Sequence, residues 1–245
     1  MRPSRQVMTV IAVLLTFGSG ATDVASFTRF GSVFASVMTG NIVVFGLSLA
    51  RGSVSLAAHT VAAIAGYIIG VAVGTRVEWF HARRLQASEL DSPWPPHVTM
   101  AFLLEFLLLA GVAVGWEVTG SKPAGVTQFV LLVLAASAMG IQSAAVNDMG
   151  LKEVSTTFLT GTLTALIASL AAPGGPKLGL RRPGVLLGLA SGAILAGVFV
   201  AYVPYLVPAL PLASLLTVIV LGSRSTDASP GQHPSARIPI PRRPR

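Results

Sequence analysis

Long apolar runs dominate this chain. Val7–Phe17, continued by the small residues Ser19, Gly20 and Ala21, is the first. Leu56–Val73, Val98–Trp116, Val126–Val146, Gly184–Val203 and Leu206–Gly222 follow. Several approach or exceed the ~18 residues that mark a spanning helix. In a bilayer the backbone must satisfy its own hydrogen bonds, so such runs become transmembrane helices. Two further apolar stretches are threaded with polar residues. Ser32–Ala50 carries Ser36, Thr39, Asn41 and Ser48, and Thr156–Ala172 carries five threonines.

Composition points the same way. Of 245 residues, 53% are hydrophobic and 11% charged, with a mean hydropathy of +0.74. Soluble domains carry about 25% charged residues. The net charge of +8 does not read as a nucleic-acid surface, because five arginines and one aspartate lie between Arg224 and Arg245. A basic segment beside a bilayer faces the anionic cytoplasmic leaflet. With no cysteine, disulfides and thiolate-held metals are excluded. Arg2 and Arg5 before Val7–Phe17 also resemble a cleaved leader. The equivalent stretch before the second half is internal, so the first is expected to stay as a helix.

That equivalence comes from a repeat. Gly20-Ala21-Thr22-Asp23 through Met38-Thr39-Gly40-Asn41 to Ser48-Leu49-Ala50 is matched by Gly140-Ile141-Gln142 through Thr160-Gly161-Thr162 to Ser169-Leu170-Ala171. Glycines every four residues follow each copy, Gly66/Gly70/Gly74 and Gly184/Gly188/Gly192, and read as helix-packing faces. The expected fold is an all-α integral membrane protein. It has six transmembrane helices plus two broken or re-entrant Thr-Gly segments, arranged as two internal repeats. Eight crossings are the alternative. Charge counting separates them: six crossings put 10 of the 13 Lys and Arg between Arg2 and Arg224 inside, whereas eight put 8 there. Cytoplasmic loops are the Lys/Arg-rich ones, which favours six. The three crossings between the copies would then invert one relative to the other. The membrane domain is expected over 1–222, with repeats at about 7–75 and 126–203. A disordered, basic cytoplasmic tail is expected over 223–245.

Asp23 and Glu105 are the marked acids, since an acid within a span faces a cavity or a partner. With Thr39, Gly40, Asn41, Gln142, Thr160, Gly161 and Thr162 they form the candidate substrate or ion path. The two Thr-Gly segments are expected to meet near the midplane. Asp23 would lie at the cavity mouth beside Thr39 and Asn41, where a carboxylate can exchange a proton for substrate. The rival reading is that Thr and Gly serve only close packing. No phosphate-cradling loop, metal spacing or Ser/His/acid grouping is present, so neither enzyme, metal nor cofactor is expected.

Phe34 through Met38-Thr39-Gly40-Asn41, preceded by Gly20-Ala21-Thr22-Asp23, resembles the signature of the YoaK-type bacterial membrane proteins, a domain-of-unknown-function family. Ala138-Met139-Gly140-Ile141-Gln142 and Thr157–Thr162 resemble its second block. The similarity covers roughly residues 7–222. It departs at Val146-Asn147-Asp148, where a more basic stretch is expected. The resemblance implies a bacterial inner-membrane protein of six helices. The resulting expectation is a small secondary transporter or channel, both termini cytoplasmic, with the bilayer and an unidentified small solute as its partners and no nucleic acid. A non-transporting scaffold or sensor is the alternative.

Overall fold

The computed structural model describes residues 5–82, 94–151, 156–171 and 181–227. Among them, regular structure is entirely helical: α1 (Arg5–Arg29), α2 (Met38–Ala50), α3 (Val54–Ala82), α4 (Pro96–Val118), α5 (Gly125–Asp148), α6 (Thr156–Ala171), α7 (Arg181–Tyr202) and α8 (Ala209–Asp227). A 3-10 turn, Pro204–Leu206, introduces α8. Six segments are long and apolar enough to cross a membrane: α1, α3, α4, α5, α7, and α8 with its turn. α2 and α6 are shorter. At 13 residues α2 rises about 20 Å, less than the hydrocarbon core of ~30 Å.

Local chemistry sets the ends. Pro96 opens α4, where its missing N–H had no helical partner. Gly52 and Gly150 follow α2 and α5 with φ of 62° and 68°, the left-handed turn that stops a helix. Pro208 precedes α8, and Pro211 sits in its first turn, where proline is tolerated. Two limits differ from those the apolar runs suggest. α3 runs on to Ala82, nine residues past Val73. α8 continues past Gly222 to Asp227. The remaining tail and residues 83–93 lie outside the described residues.

Helices α1, α8, α4 and α5 form a closed inner ring in that order of contact: α1 on α8, α8 on α4, α4 on α5 and α5 on α1. α3 packs outside on α5, and α7 outside on α1; these are the two most extensive contacts. They are close because glycine permits it. Gly66, Gly70 and Gly74 lie against Val133, Ser137 and Ile141, and a Cβ on Gly70 would overlap the Ser137 carbonyl. Gly188 and Gly192 lie against Val13 and Phe17 in the same manner. Such contacts drive association in lipid, where burial of apolar surface supplies little.

The first Thr-Gly segment does not break in its middle. After Arg29 the chain reverses through Gly31 (φ 93°) and Ser32 (φ 61°) and runs back along α1. Ser36 reaches Asp23, six residues before the end of α1, a descent of about 9 Å. α2 then climbs back to Arg51, with Thr39 and Gly40 in its first turn. The dip is therefore re-entrant, and its irregular part is residues 30–37.

Bonds at each end of the bundle fix the helix directions. Gln128 Nε2 at the start of α5 donates to the Arg29 carbonyl (2.7 Å), and its Oε1 lies 3.0 Å from His59 Nε2 on α3. At the opposite end His97 Nε2 of α4 meets Asp148 Oδ2 of α5 at 2.8 Å. α3, α4 and α5 thus alternate in direction, as six crossings require.

Candidate functional site

Ten residues into α4, Glu105 points into the inner ring and is fully buried. Gln142 Nε2 of α5 donates to its Oε1 at 2.8 Å. Ser19 Oγ of α1 lies 2.8 Å from Gln142 Oε1, so one amide bridges α1 to α4. Glu105 Oε2 has no partner among the described residues. Ser214 of α8 completes the ring at this depth, packed against Gly18. An ionised acid at a helix centre costs about 3 kcal/mol in a bilayer, so an acid is kept there for a reason other than packing.

This polar centre is closed at both ends. Trp94 and Trp116 lie eleven residues to either side of Glu105 in sequence; Trp116 is three helical turns along α4, whereas Trp94 precedes the helix and folds back onto it. Trp94 stacks on Phe102 (centroids 5.6 Å apart), donates from Nε1 to Thr99 Oγ1 (2.7 Å) and covers Gly222 of α8. It is buried. Trp116 meets Phe30 edge-on (5.9 Å) and donates from Nε1 to the Pro204 carbonyl at 2.9 Å.

Asp23 and Asn41 converge on the re-entrant loop. Asp23 Oδ1 accepts the Ser36 N–H (2.8 Å) and Oδ2 its hydroxyl (2.5 Å). Asn41 clamps one residue from both sides, accepting the Phe34 N–H on Oδ1 (2.9 Å) and donating Nδ2 to the Phe34 carbonyl (2.7 Å). Asp23 lies one turn along α1 from Ser19. Beside it a cavity of about 310 Å³ opens between α1, the loop and α7, lined by apolar surface of Val24, Phe27, Phe34, Val37, Leu189 and Ala193.

The expectation that both Thr-Gly segments meet at the midplane is corrected. α2 packs on α3 and α6 on α7, each outside the inner ring. Thr39, Thr160 and Gly161 are exposed, Gly40 is half-buried and Thr162 is buried. The glycine faces bring α3 to α5 and α7 to α1, which leaves the two short helices at the periphery. Of the candidate path residues, Glu105 and Gln142 come together in the centre. Ser19, Ser36 and Ser214 were not singled out, because a serine in a span usually bonds its own helix, as Ser19 also does to Leu15. Asp148, in the stretch that departs from the family pattern, ends α5 and pairs with His97.

Residues 11–222 match the family described as Protein of unknown function (DUF1275). The chain belongs to the DUF1275 family. A curated relative, the UPF0700 transmembrane protein YoaK of Bacillus subtilis (strain 168), is 31% identical over 160 residues, which is 64% of this chain and 65% of that relative. The match thus spans just under two thirds of either protein. No solved structure matches. The relative's description as a transmembrane protein agrees with the multi-pass helical architecture, and the family match takes in the inner ring from Ile11 to Gly222.

Proposed function

We propose that this chain is a small secondary transporter of the inner membrane, built from two inverted repeats whose relative movement exposes the Glu105 centre to either side. The observation carrying this reading is an exchange of contacts between halves. Gly20 of α1 lies against Leu189 and Ala193 of α7, and Gly140 of α5 lies against Tyr67 and Val71 of α3. Gly192 meets Phe17, and Gly70 meets Ser137. Each α5 residue is 120 positions after its α1 counterpart, and each α7 residue is 122 after its α3 counterpart. The contacts α1 on α8 and α5 on α4 extend the same exchange to the third spanning helix of each half. On this basis the repeats run from α1 to α4 and from α5 to α8, and Gly66 pairs with Gly188, one turn away from the pairing that sequence alone suggests. Inverted halves around a midplane polar site are the arrangement of many secondary transporters.

Charge asymmetry supports placing the Asp148 end and both termini in the cytoplasm. In this reading Trp94 closes the inner end and Trp116 the outer, so the structure is occluded. The scaffold reading draws support from the tight glycine contacts and from the apolar lining of the cavity beside Asp23.

The two are separated by single cysteines at Ala101 and Val112, buried on α4 on opposite sides of Glu105. A small thiol reagent is added to intact cells and to inside-out vesicles. A transporter gives reaction at Val112→Cys from outside and at Ala101→Cys from inside. If neither cysteine reacts while the protein stays folded, the chain is a scaffold.

A further inference from the structure

The bonds within the inner ring leave one atom without a role. Gln142 satisfies Glu105 Oε1, and Ser19 holds the far end of the same amide, which fixes where the carboxyl points. Oε2 is buried with no partner among the described residues. Thr16, Ser19, Thr22 and Ser214 are the other buried polar side chains of α1 and α8 at this depth, and none of them carries charge. Along α1 the next acid, Asp23, has both oxygens engaged by Ser36. The His97–Asp148 hydrogen bond lies two turns or more from Glu105 along α4. A bare carboxylate with an open oxygen in apolar surroundings is neutralised by a positive charge. The described protein offers it no such charge.

We propose that Glu105 Oε2 is a binding point for one small positive charge, a proton or a monovalent metal cation, with Gln142 as the positioning residue and Ser19 linking it to the α1/α7 pair. This deepens the transport reading: the species moved, or the ion coupled to it, is cationic. Binding of the charge itself stands without that reading. Three features agree with a small ligand. A buried indole lies toward each end of the ring, Oε2 is fully enclosed, and the group that aims the carboxyl is a neutral amide.

The test uses full-length protein in lipid nanodiscs and dicyclohexylcarbodiimide, an apolar reagent that adds to carboxyls carrying a proton. Peptide mass spectrometry reads the adduct at each acid, with choline chloride as the bulky-cation control. The proposal requires an adduct at Glu105, absent at Asp23. If the ligand is a proton, the yield at Glu105 falls with rising pH, by up to about tenfold per pH unit once the acid ionises, and is indifferent to salt. If it is a metal cation, lithium, sodium or potassium chloride protects Glu105 and choline does not. Gln142→Leu should shift whichever dependence is found, because the carboxyl is then no longer aimed. An absent adduct on folded protein at every pH tested in low salt, or a yield indifferent to both pH and cations, overturns the proposal. Labelling at Glu105 with neither Ala101→Cys nor Val112→Cys reactive would leave the site intact and remove transport.

Discussion

Asp23 and Ser36 are joined twice, the carboxylate taking both the backbone N–H and the hydroxyl of the serine. A helix is thereby tied to a loop thirteen residues further on, and the chain is held inside the bilayer where an irregular backbone needs partners. This gives the acid a positioning role, and Asn41 does the same for Phe34 from the other side of the loop.

Asp23→Ala should therefore destabilise the fold by about 1–3 kcal/mol, because it orphans a buried N–H and hydroxyl. Asp23→Asn retains one acceptor and should lose less. Thermal unfolding in a mild detergent checks the order. Equal stability of Asp23→Ala and wild type would show that the loop is held by something else.

The glycine faces make a graded prediction. Gly70→Ala and Gly192→Ala place a methyl on the carbonyls of Ser137 and Phe17, and should each cost about 1–3 kcal/mol. Gly46→Ala, on the open face of α2 with nothing nearby, should stabilise by up to about 1 kcal/mol through helix propensity. The same unfolding measurement compares them, and a uniform effect across the three would argue against the packing.

Topology is testable because the chain has no cysteine. Cysteine at the exposed Lys122 should react with an impermeant reagent in intact cells. Cysteine at the exposed Ser223 should react only after permeabilisation. Protection of both would instead fit eight crossings, which puts Lys122 inside.

The spans were legible because their apolar runs admit no other structure, and their limits shift by only a few residues in α4 and α5. The centre was half legible. Glu105 and Gln142 stand out as polar residues among Phe, Leu and Ala, whereas Ser19 and Ser214 carry no distinguishing pattern. The Thr-Gly segments were the most conspicuous repeat and yet lie outside the ring. Pairing Thr with Gly signals close approach without naming the neighbour, and here the approach belongs to the glycine rows of α3 and α7. Trp94 and Trp116, each eleven residues from Glu105 in sequence, were an available signal that composition alone concealed.

The outward contact of α1 is with α7, which begins only at Arg181. During synthesis the first helix, with Ser19, Thr22 and Asp23 along it, enters the membrane long before the surface made for it exists. α3 waits less, since α5 follows one helix later. Assembly therefore cannot proceed half by half: each half completes the other, and neither offers a finished unit to quality control until α7 and α8 have emerged. A chain cut in the Gly120–Gly125 turn should regain its fold only when both fragments are made in the same cell.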